Sequence, residues 1–203
     1  MKSLVLLVLA VISGPRGDLE VSVPTFPNAS CPVMGKPISQ KLFVDTDFGR
    51  VYVCCKGCNK KVAADPAAAA KSAYPKVVKV GNKHSPVSGK AIDPAAKTPV
   101  TITLQGREIA LASADELAAA KAAPQLVLAK SADEKLVDVG NALCPLTGEA
   151  VDPNDFVVID GRLVHLAASA SLDDVKKDPK SVLEKALAQK PSEPSEKSEK
   201  KGG

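Results

Sequence analysis

The sequence predicts an α+β fold made of three tandem copies of one small module, in which a β-hairpin is followed by short helices. Three segments share the frame Asn-x-x-(Cys/Ser)-Pro-(Val/Leu)-x-Gly, and they begin at Asn28, Asn82 and Asn141. An alternating apolar stretch with a Gly-Arg pair follows each segment, and an Ala- and Lys-rich stretch comes next. Because such self-similarity is typical of repeat architectures, we expect modules at residues 19–76, 77–135 and 136–189.

The alternating stretches predict one β-hairpin in each copy. In the second copy, apolar side chains occupy every other position on both sides of Gln105-Gly106. In the third copy, Asp160-Gly161 is a dipeptide that tight hairpin turns favour. The corresponding stretch of the first copy, which leads to Gly49-Arg50, contains Asp45 and Asp47. We therefore expect the first hairpin to contribute the least apolar core.

Capping signals predict where the helices begin. In the second copy, Ser113–Glu116 reads "SADE", a capping-box pattern, and in the third copy Ser171 can cap the first turn. Asp65-Pro66 and Asp178-Pro179 each place a good N-cap residue before a proline at the first helical position. A second short helix is therefore expected in the first and third copies.

The two ends of the chain have compositions unlike that of the repeats. Residues 1–18 contain Lys2, then an apolar run over residues 4–12, and then the small residues Ser13 and Gly14. This order is typical of a signal peptide. The apolar run is far shorter than the ~20 residues of a membrane span. We expect a secreted or periplasmic protein without a membrane span after cleavage, and a disordered polar tail at residues 190–203.

Composition argues against two classes of protein. The net charge is +4 with 3% aromatic residues, and acidic and basic residues alternate along the chain, so nucleic-acid binding is not indicated. The chain has five cysteines, an odd number, and four of them lie in the first copy. A disulfide framework spread over the fold is therefore not expected.

The cysteines of the first copy occupy positions that suit a metal site. Cys31 lies in a Pro-x-x-Gly turn, Cys54 and Cys55 end a hairpin strand, and Cys58 falls about one turn into a helix. Small treble-clef-like modules surround a metal ion with this order of elements. Unpaired N–H groups at a helix start also favour the thiolate, which is the form that binds metal.

The first copy resembles two related families of metal-associated domains. The spacing of Cys31, Cys54 and Cys58 is similar to that of TRASH domains, and "CPVMGKPI" with "VYVCCKGCNKKVAADP" resembles YHS domains. The resemblance covers about residues 28–75, and the second and third copies are degenerate. It implies a treble-clef-like fold and a role in carrying, sensing or resisting copper or zinc. Met34 departs from the YHS pattern, which has a cysteine there.

Two further sulfur-bearing residues leave alternatives open. Met34 is either a fourth ligand, which would favour Cu(I) over Zn(II), or a flexible side chain that fills a gap in the core. Cys55 either replaces Cys54 in a Cys-x-x-Cys pair with Cys58 or lies buried behind the site.

The remaining candidate residues favour structural roles. His165, within a hairpin strand, is expected to be a hydrogen-bonded structural histidine, and His84 to be solvated. Cys144 aligns with Cys31 but has no thiol partners in its own copy, so a buried leftover thiol is expected.

Three functions are compatible with these patterns. The first is a metal-binding module that is not an enzyme, with a metal-transport protein or a metalloenzyme as its partner. The second is a thiol-disulfide redox protein that uses Cys55 and Cys58, although the hairpin context differs from the βαβ context of thioredoxin-like proteins. The third is a structural repeat protein without a ligand. We favour the metal-binding function.

Overall fold

The computed structural model describes residues 19–93 and 99–189, so the expected signal peptide at residues 1–18 and the expected tail at residues 190–203 lie outside it. The described part is a mixed α+β fold with six helices and three small sheets. Its strands are β1 (Val21–Ser22), β2 (Phe43–Thr46), β3 (Gly49–Tyr52), β4 (Val78–Lys79), β5 (Val100–Leu104), β6 (Arg107–Leu111), β7 (Val137–Asp138), β8 (Asp152–Ile159) and β9 (Arg162–Leu166). Its helices are α1 (Lys56–Ala64), α2 (Pro66–Ala73), α3 (Glu116–Ala122), α4 (Pro124–Ala132), α5 (Leu172–Lys177) and α6 (Pro179–Leu187). None of these helices has the length and apolar character that a membrane crossing needs.

The three predicted hairpins are present as antiparallel pairs. They are β2 with β3, β5 with β6, and β8 with β9. In the second and third hairpins the first turn residue is Gln105 or Asp160, with φ of 46° and 48°, and a glycine with positive φ follows. These left-handed turns match the twist of the strands that they join.

Each of the last two hairpins gains a short parallel strand, whereas the first hairpin does not. β4 pairs with β6, and β7 pairs with β9. At the matching place in the first copy, Pro24 and Pro27 precede Asn28, and proline has no N–H group to donate to a ladder. The strand before these prolines, β1, pairs instead with β8 of the third copy, with Val21 opposite Ile159.

An asparagine side chain ties the turn of each copy to its hairpin. Asn28 accepts a hydrogen bond from the Tyr52 N–H at 2.9 Å and donates to the Tyr52 carbonyl at 3.0 Å and the Ser30 carbonyl at 2.7 Å. Asn82 makes the same contacts with Ala110 and the His84 carbonyl. Asn141 repeats them a third time, with His165 and Leu143 as its partners.

The turn after each asparagine has the same backbone geometry. In the first copy, the Cys31 N–H donates to the Lys36 carbonyl and the Gly35 N–H donates to the Cys31 carbonyl, both at 2.8 Å. The corresponding turns begin at Ser85 and Cys144 and show the same two bonds. Gly35 has φ of 67°, a conformation in which a side chain would be strained, so the glycine of the frame is required by the turn.

The predicted helix caps are confirmed at three of four places. Asp65 and Asp178 accept hydrogen bonds from the first turns of α2 and α6, and Ser171 accepts one in α5. The prediction for Ser113 is wrong, because α3 begins at Glu116 without a side-chain cap. The carboxylate of Glu116 turns away from Ser113 and binds groups in the turn and the hairpin instead. A helix that was not predicted, α4, also follows in the second copy.

Gln105, at the tip of the second hairpin, connects the first and second copies. Its side-chain amide donates to the Phe26 carbonyl at 2.6 Å and to the Tyr74 hydroxyl at 3.0 Å. Its side-chain oxygen accepts from the Arg50 N–H at 3.1 Å and from the Gln125 amide at 2.6 Å. Since Gln105 is only 5% exposed, this hydrogen-bond network joins the two copies in a buried contact.

The apolar core differs in content between the copies. The first cluster has only small buried members, namely Cys31, Val51, Val53, Cys58, Val62, Ala70 and Ala73. The second contains buried leucine and isoleucine side chains from β5, β6 and α4. In the third copy, β8 is covered on both faces, because Val157 and Ile159 pack toward its own helices and Phe156 packs near α4. The first copy therefore has the least apolar volume, as expected.

We expect Asn141→Ala to lower the free energy of unfolding by about 2–3 kcal/mol, because it removes three hydrogen bonds and leaves backbone groups buried without partners. Urea denaturation of metal-free, reduced protein measures this change. Asn59→Ala is the matched control, since the Asn59 side-chain oxygen has no hydrogen-bond partner among the described residues. Equal effects of the two substitutions would contradict the role of the asparagine contacts.

Candidate metal centre

Three elements bring three thiols together in the first copy. Asn28 fixes the turn that carries Cys31, Cys54 lies two residues after the end of β3, and Cys58 lies in the first turn of α1. The Sγ atoms of Cys31, Cys54 and Cys58 all lie within 4.8 Å of one another. They form the one group of this kind in residues 19–93 and 99–189. The structure therefore contains a cluster of cysteines that could hold a metal ion.

Within the cluster, the separation of the Cys54 and Cys58 sulfurs matches the one that a shared ion imposes. The Sγ atoms of Cys54 and Cys58 are 3.8 Å apart, and those of Cys55 and Cys58 are 3.6 Å apart. Tetrahedral zinc with Zn–S bonds of about 2.3 Å places neighbouring sulfurs about 3.8 Å apart. Cys54 and Cys58 thus already lie at the separation of two ligands of one ion, and the Cys31 Sγ lies within 4.8 Å of both.

Burial separates the predicted ligands into two groups. Cys31 and Cys58 are 1% and 3% exposed, and Cys54 is partly exposed. Cys55 is exposed, so it is not buried behind the site, yet its Sγ contacts that of Cys58. The Met34 side chain is 53% exposed, which excludes a role as a filler of the core. We call Met34 and Cys55, the two exposed sulfur-bearing residues of the first copy, the rim; Cys31 and Cys58 are buried, and Cys54 is partly exposed.

The backbone of the turn favours the ionised form of Cys31. Burial opposes ionisation, but the N–H groups of Cys54, Val33 and Met34 point at the sulfur and lower the pKa of Cys31 to about 7. Burial and the neighbouring thiols raise the pKa of Cys58 to about 12. Without a cation, the cluster therefore loses its first proton easily and its last proton with difficulty. This is expected for neighbouring thiols, because one thiolate disfavours the ionisation of the others.

In the second copy, hydrogen bonds occupy the position that corresponds to the thiol cluster of the first copy. Ser85 occupies the position of Cys31, and its hydroxyl donates to the carboxylate of Glu116 at 2.5 Å. The N–H of Ala112, which stands where Cys54 stands, donates to the same carboxylate at 3.0 Å. Glu116 is 8% exposed; burial opposes its ionisation, but these hydrogen bonds keep the pKa of the carboxyl below its usual value. Sequence reasoning had assigned Glu116 to a capping box and missed this contact.

The third copy keeps only one thiol at this place. Cys144 is 1% exposed and packs in the core of its copy, which confirms the expected buried thiol. His165 is buried and its Nε2 lies 2.9 Å from an Asp138 carboxylate oxygen, so the expected structural histidine is also confirmed. His84 is exposed and lies beside Glu134. The predicted ligands therefore converge in the first copy alone within the described ranges.

No protein-family model, no curated protein and no solved structure matches this chain in the three comparisons.

The lowered pKa of Cys31 predicts a pH-dependent stability of the metal-free protein. Its folded pKa of about 7 lies below its ordinary value of 9.0, so only the folded chain is ionised between these values. We expect the free energy of unfolding to rise as pH increases through this range, and this contribution to be lost as pH falls through about 7. Urea denaturation of reduced protein between about pH 6 and about pH 9 measures it.

The control for this prediction is Cys31→Ser. The pKa of Cys144 is also lowered, and this contribution is common to both proteins. Cys31 helps to raise the pKa of Cys54 and of Cys58, so the parent and the variant differ by Cys31 and by its coupling to these two thiols. The variant should show a flatter dependence on pH over this range. Parallel curves for the two proteins would contradict the assignment.

Proposed function

We propose that this protein binds one soft transition-metal ion, Cu(I) or Zn(II), through Cys31, Cys54 and Cys58. The observation that carries the proposal is the convergence of three thiols from a turn, a strand end and a helix start to within 4.8 Å. Thiolates are the ligands that soft ions select in proteins. Two of these thiols, Cys31 and Cys58, also belong to the buried core cluster of the first copy.

The chemistry of the rim bears on which ion is bound. Met34 offers an exposed thioether, and thioethers suit Cu(I) and are poor ligands in closed zinc sites. Cys55 offers a further thiol next to Cys58. A ligand set that includes the Met34 thioether would favour Cu(I), whereas ligation by four cysteine thiolates would favour Zn(II).

We also propose that the three segments are copies of one treble-clef-like module, the first related to TRASH and YHS domains. The recurring asparagine contacts and the recurring turns support this proposal. In the second and third copies, a serine-glutamate hydrogen bond and a lone thiol take the place of the metal ligands. These copies then serve as spacers or as partner surfaces.

The biological role that fits is to carry the metal, to sense it or to confer resistance to it, outside the cytoplasm. The signal-like composition of residues 1–18 supports export to the periplasm or the medium. The partner would be a metal-transport protein or a metalloenzyme, and the protein itself would bind and not catalyse. The low aromatic content gives no support to a nucleic-acid partner.

Metal retention tests the proposed function. We expect the parent protein, reduced and loaded anaerobically with Cu(I) or Zn(II), to retain one ion per chain after dialysis, and the variant with serine at positions 31, 54 and 58 to retain almost none. Elemental analysis of the dialysed protein measures this ratio. Cys144→Ser is the matched control, because it removes a buried thiol outside the cluster and should leave retention unchanged.

Two outcomes would contradict this function. One is equal retention by the parent and the triple serine variant. The other is robust turnover in insulin reduction that Cys55→Ser abolishes, because the 3.6 Å contact of Cys55 with Cys58 would then serve thiol-disulfide exchange.

Removal of the metal should loosen the first copy selectively. The buried members of its core cluster are only cysteine, valine and alanine side chains, and metal ligation contributes on the order of 10 kcal/mol in small zinc modules. We expect a chelator to increase amide hydrogen exchange in residues 28–75 and to leave the protection of β5, β6, β8 and β9 almost unchanged. In Cys31→Ser protein the chelator should add little. Equal loss of protection in all three copies, or none anywhere, would show that the metal does not support this part of the fold.

A further inference from the structure

Cys55 is placed at the cluster without belonging to its buried set. Its Sγ lies 3.6 Å from that of Cys58, but the mutually close group consists of Cys31, Cys54 and Cys58. Cys58 is 3% exposed, whereas Cys55 is exposed. One sulfur of the chain is therefore in contact with solvent and with a buried ligand at the same time.

Gly57, two residues after Cys55, leaves the Cys55 Sγ uncovered on one side. Gly57 is exposed, and a Cβ added there would lie 3.9 Å from the Cys55 Sγ. The absence of a side chain at the second position of α1 thus keeps one side of the sulfur open. Gly57 is not needed for a left-handed backbone, since its φ lies outside that region.

The rim around Cys55 is positively charged. Lys56 is its direct neighbour, Lys60 follows one turn later on α1, and Lys36 closes the turn that carries Cys31; all three are exposed. The sequence has no acidic residue between 28 and 44 or between 51 and 64. An anionic carrier, such as a metal ion held by thiolates, is favoured at such a surface.

We propose that Cys55 is an exchange thiol, through which a soft metal ion passes between an external thiolate carrier and the buried cluster. This proposal rests on the proposed function and adds the route and the chemical class of the carrier. The Cys55 thiol loses its proton to solvent and bonds to the ion as one carrier thiolate leaves. Cys58 then loses its proton and displaces the second carrier thiolate. Cys54 and Cys31 bond to the ion as thiolates, and Cys55 leaves and takes a proton back from solvent. The oxidation state of the metal does not change; of the three protons that Cys31, Cys54 and Cys58 give up as thiols, two go to the departing carrier thiolates and one goes to solvent.

The proposed route predicts that Cys55 controls the rate of metal transfer but not the equilibrium affinity for the metal. Cys55 is a transient ligand, so its removal should slow transfer and leave the final complex intact. In Cys55→Ser we expect the rate of Cu(I) transfer from its glutathione complex to fall by roughly tenfold or more, since exchange follows the access of the attacking thiolate. The equilibrium affinity, from competition with a colorimetric Cu(I) chelator, should change by less than about threefold, a small effect beside the loss of a resident ligand.

The experiment uses the full protein under anaerobic conditions, with stopped-flow detection of Cu(I)–thiolate absorption and parallel runs with Zn(II). Gly57→Val is a second variant, which retains every thiol and covers the Cys55 Sγ, and it should also slow transfer. Cys144→Ser is the control that should leave the rate unchanged, because it removes a buried thiol of the third copy, outside the cluster.

A second arm identifies the source of the carrier thiolates. Cu(I) is offered either by glutathione or by a peptide with two cysteines flanked by glutamates. Faster transfer from the peptide, with the advantage lost at high salt, would identify an acidic protein carrier. Equal rates in the two arms would identify a small thiol as the carrier.

Two results would overturn the proposal. If Cys55→Ser lost affinity as strongly as Cys54→Ser, Cys55 would be a permanent ligand. If Cys55→Ser and Gly57→Val both transferred metal at the parental rate, the ion would take another route. Failure of the parent protein to bind either ion would instead remove the proposed function itself, and this outcome is recognised before any rate is measured.

Discussion

The asparagine side chain that opens each repeat is the constraint on which the local structure depends. Its amide has the donor and the acceptor of a peptide group, so it can pair with the edge of a hairpin as a short strand would. The Asn28 contact with Tyr52 holds the turn against the strand end, and the residues three positions after Asn28 and two positions after Tyr52 are Cys31 and Cys54. The Asn28 contact therefore draws these two thiols together through neutral hydrogen bonds.

The same frame holds different chemistry in each copy. A hydrogen bond between Ser85 and Glu116 occupies the space that the thiols of Cys31 and Cys58 occupy. A carboxylate that receives two donors is satisfied without a cation, whereas grouped thiolates repel one another until a cation neutralises them. Thus the same backbone geometry accommodates either a hydrogen-bonded pair, such as Ser85 with Glu116, or a group of thiols. A few side chains decide which of the two is present.

Much of the local structure could be predicted from the sequence, because hairpins and proline-started helices depend on adjacent residues. The alternation around Gln105-Gly106 and the Asp65-Pro66 and Asp178-Pro179 pairs are of this kind. The wrong cap at Ser113 arose because a tertiary partner, Ser85, competes for Glu116. The contacts of Gln105 were missed for a similar reason, since nothing near it in the sequence indicates them. The grouping of the cysteines was predictable from spacing, but the exposure of Met34 was not.

The pairing of β1 with β8 has a consequence for the order in which the molecule is completed. Val21 meets Ile159, so this contact joins segments far apart in the chain, and closing so long a loop is slow compared with forming a hairpin. During synthesis from the N-terminus, every residue from Asn28 to Cys58 is present well before β8 exists. The thiols of the first copy can therefore gather in a nascent chain that does not yet contain β8, the strand with which β1 pairs.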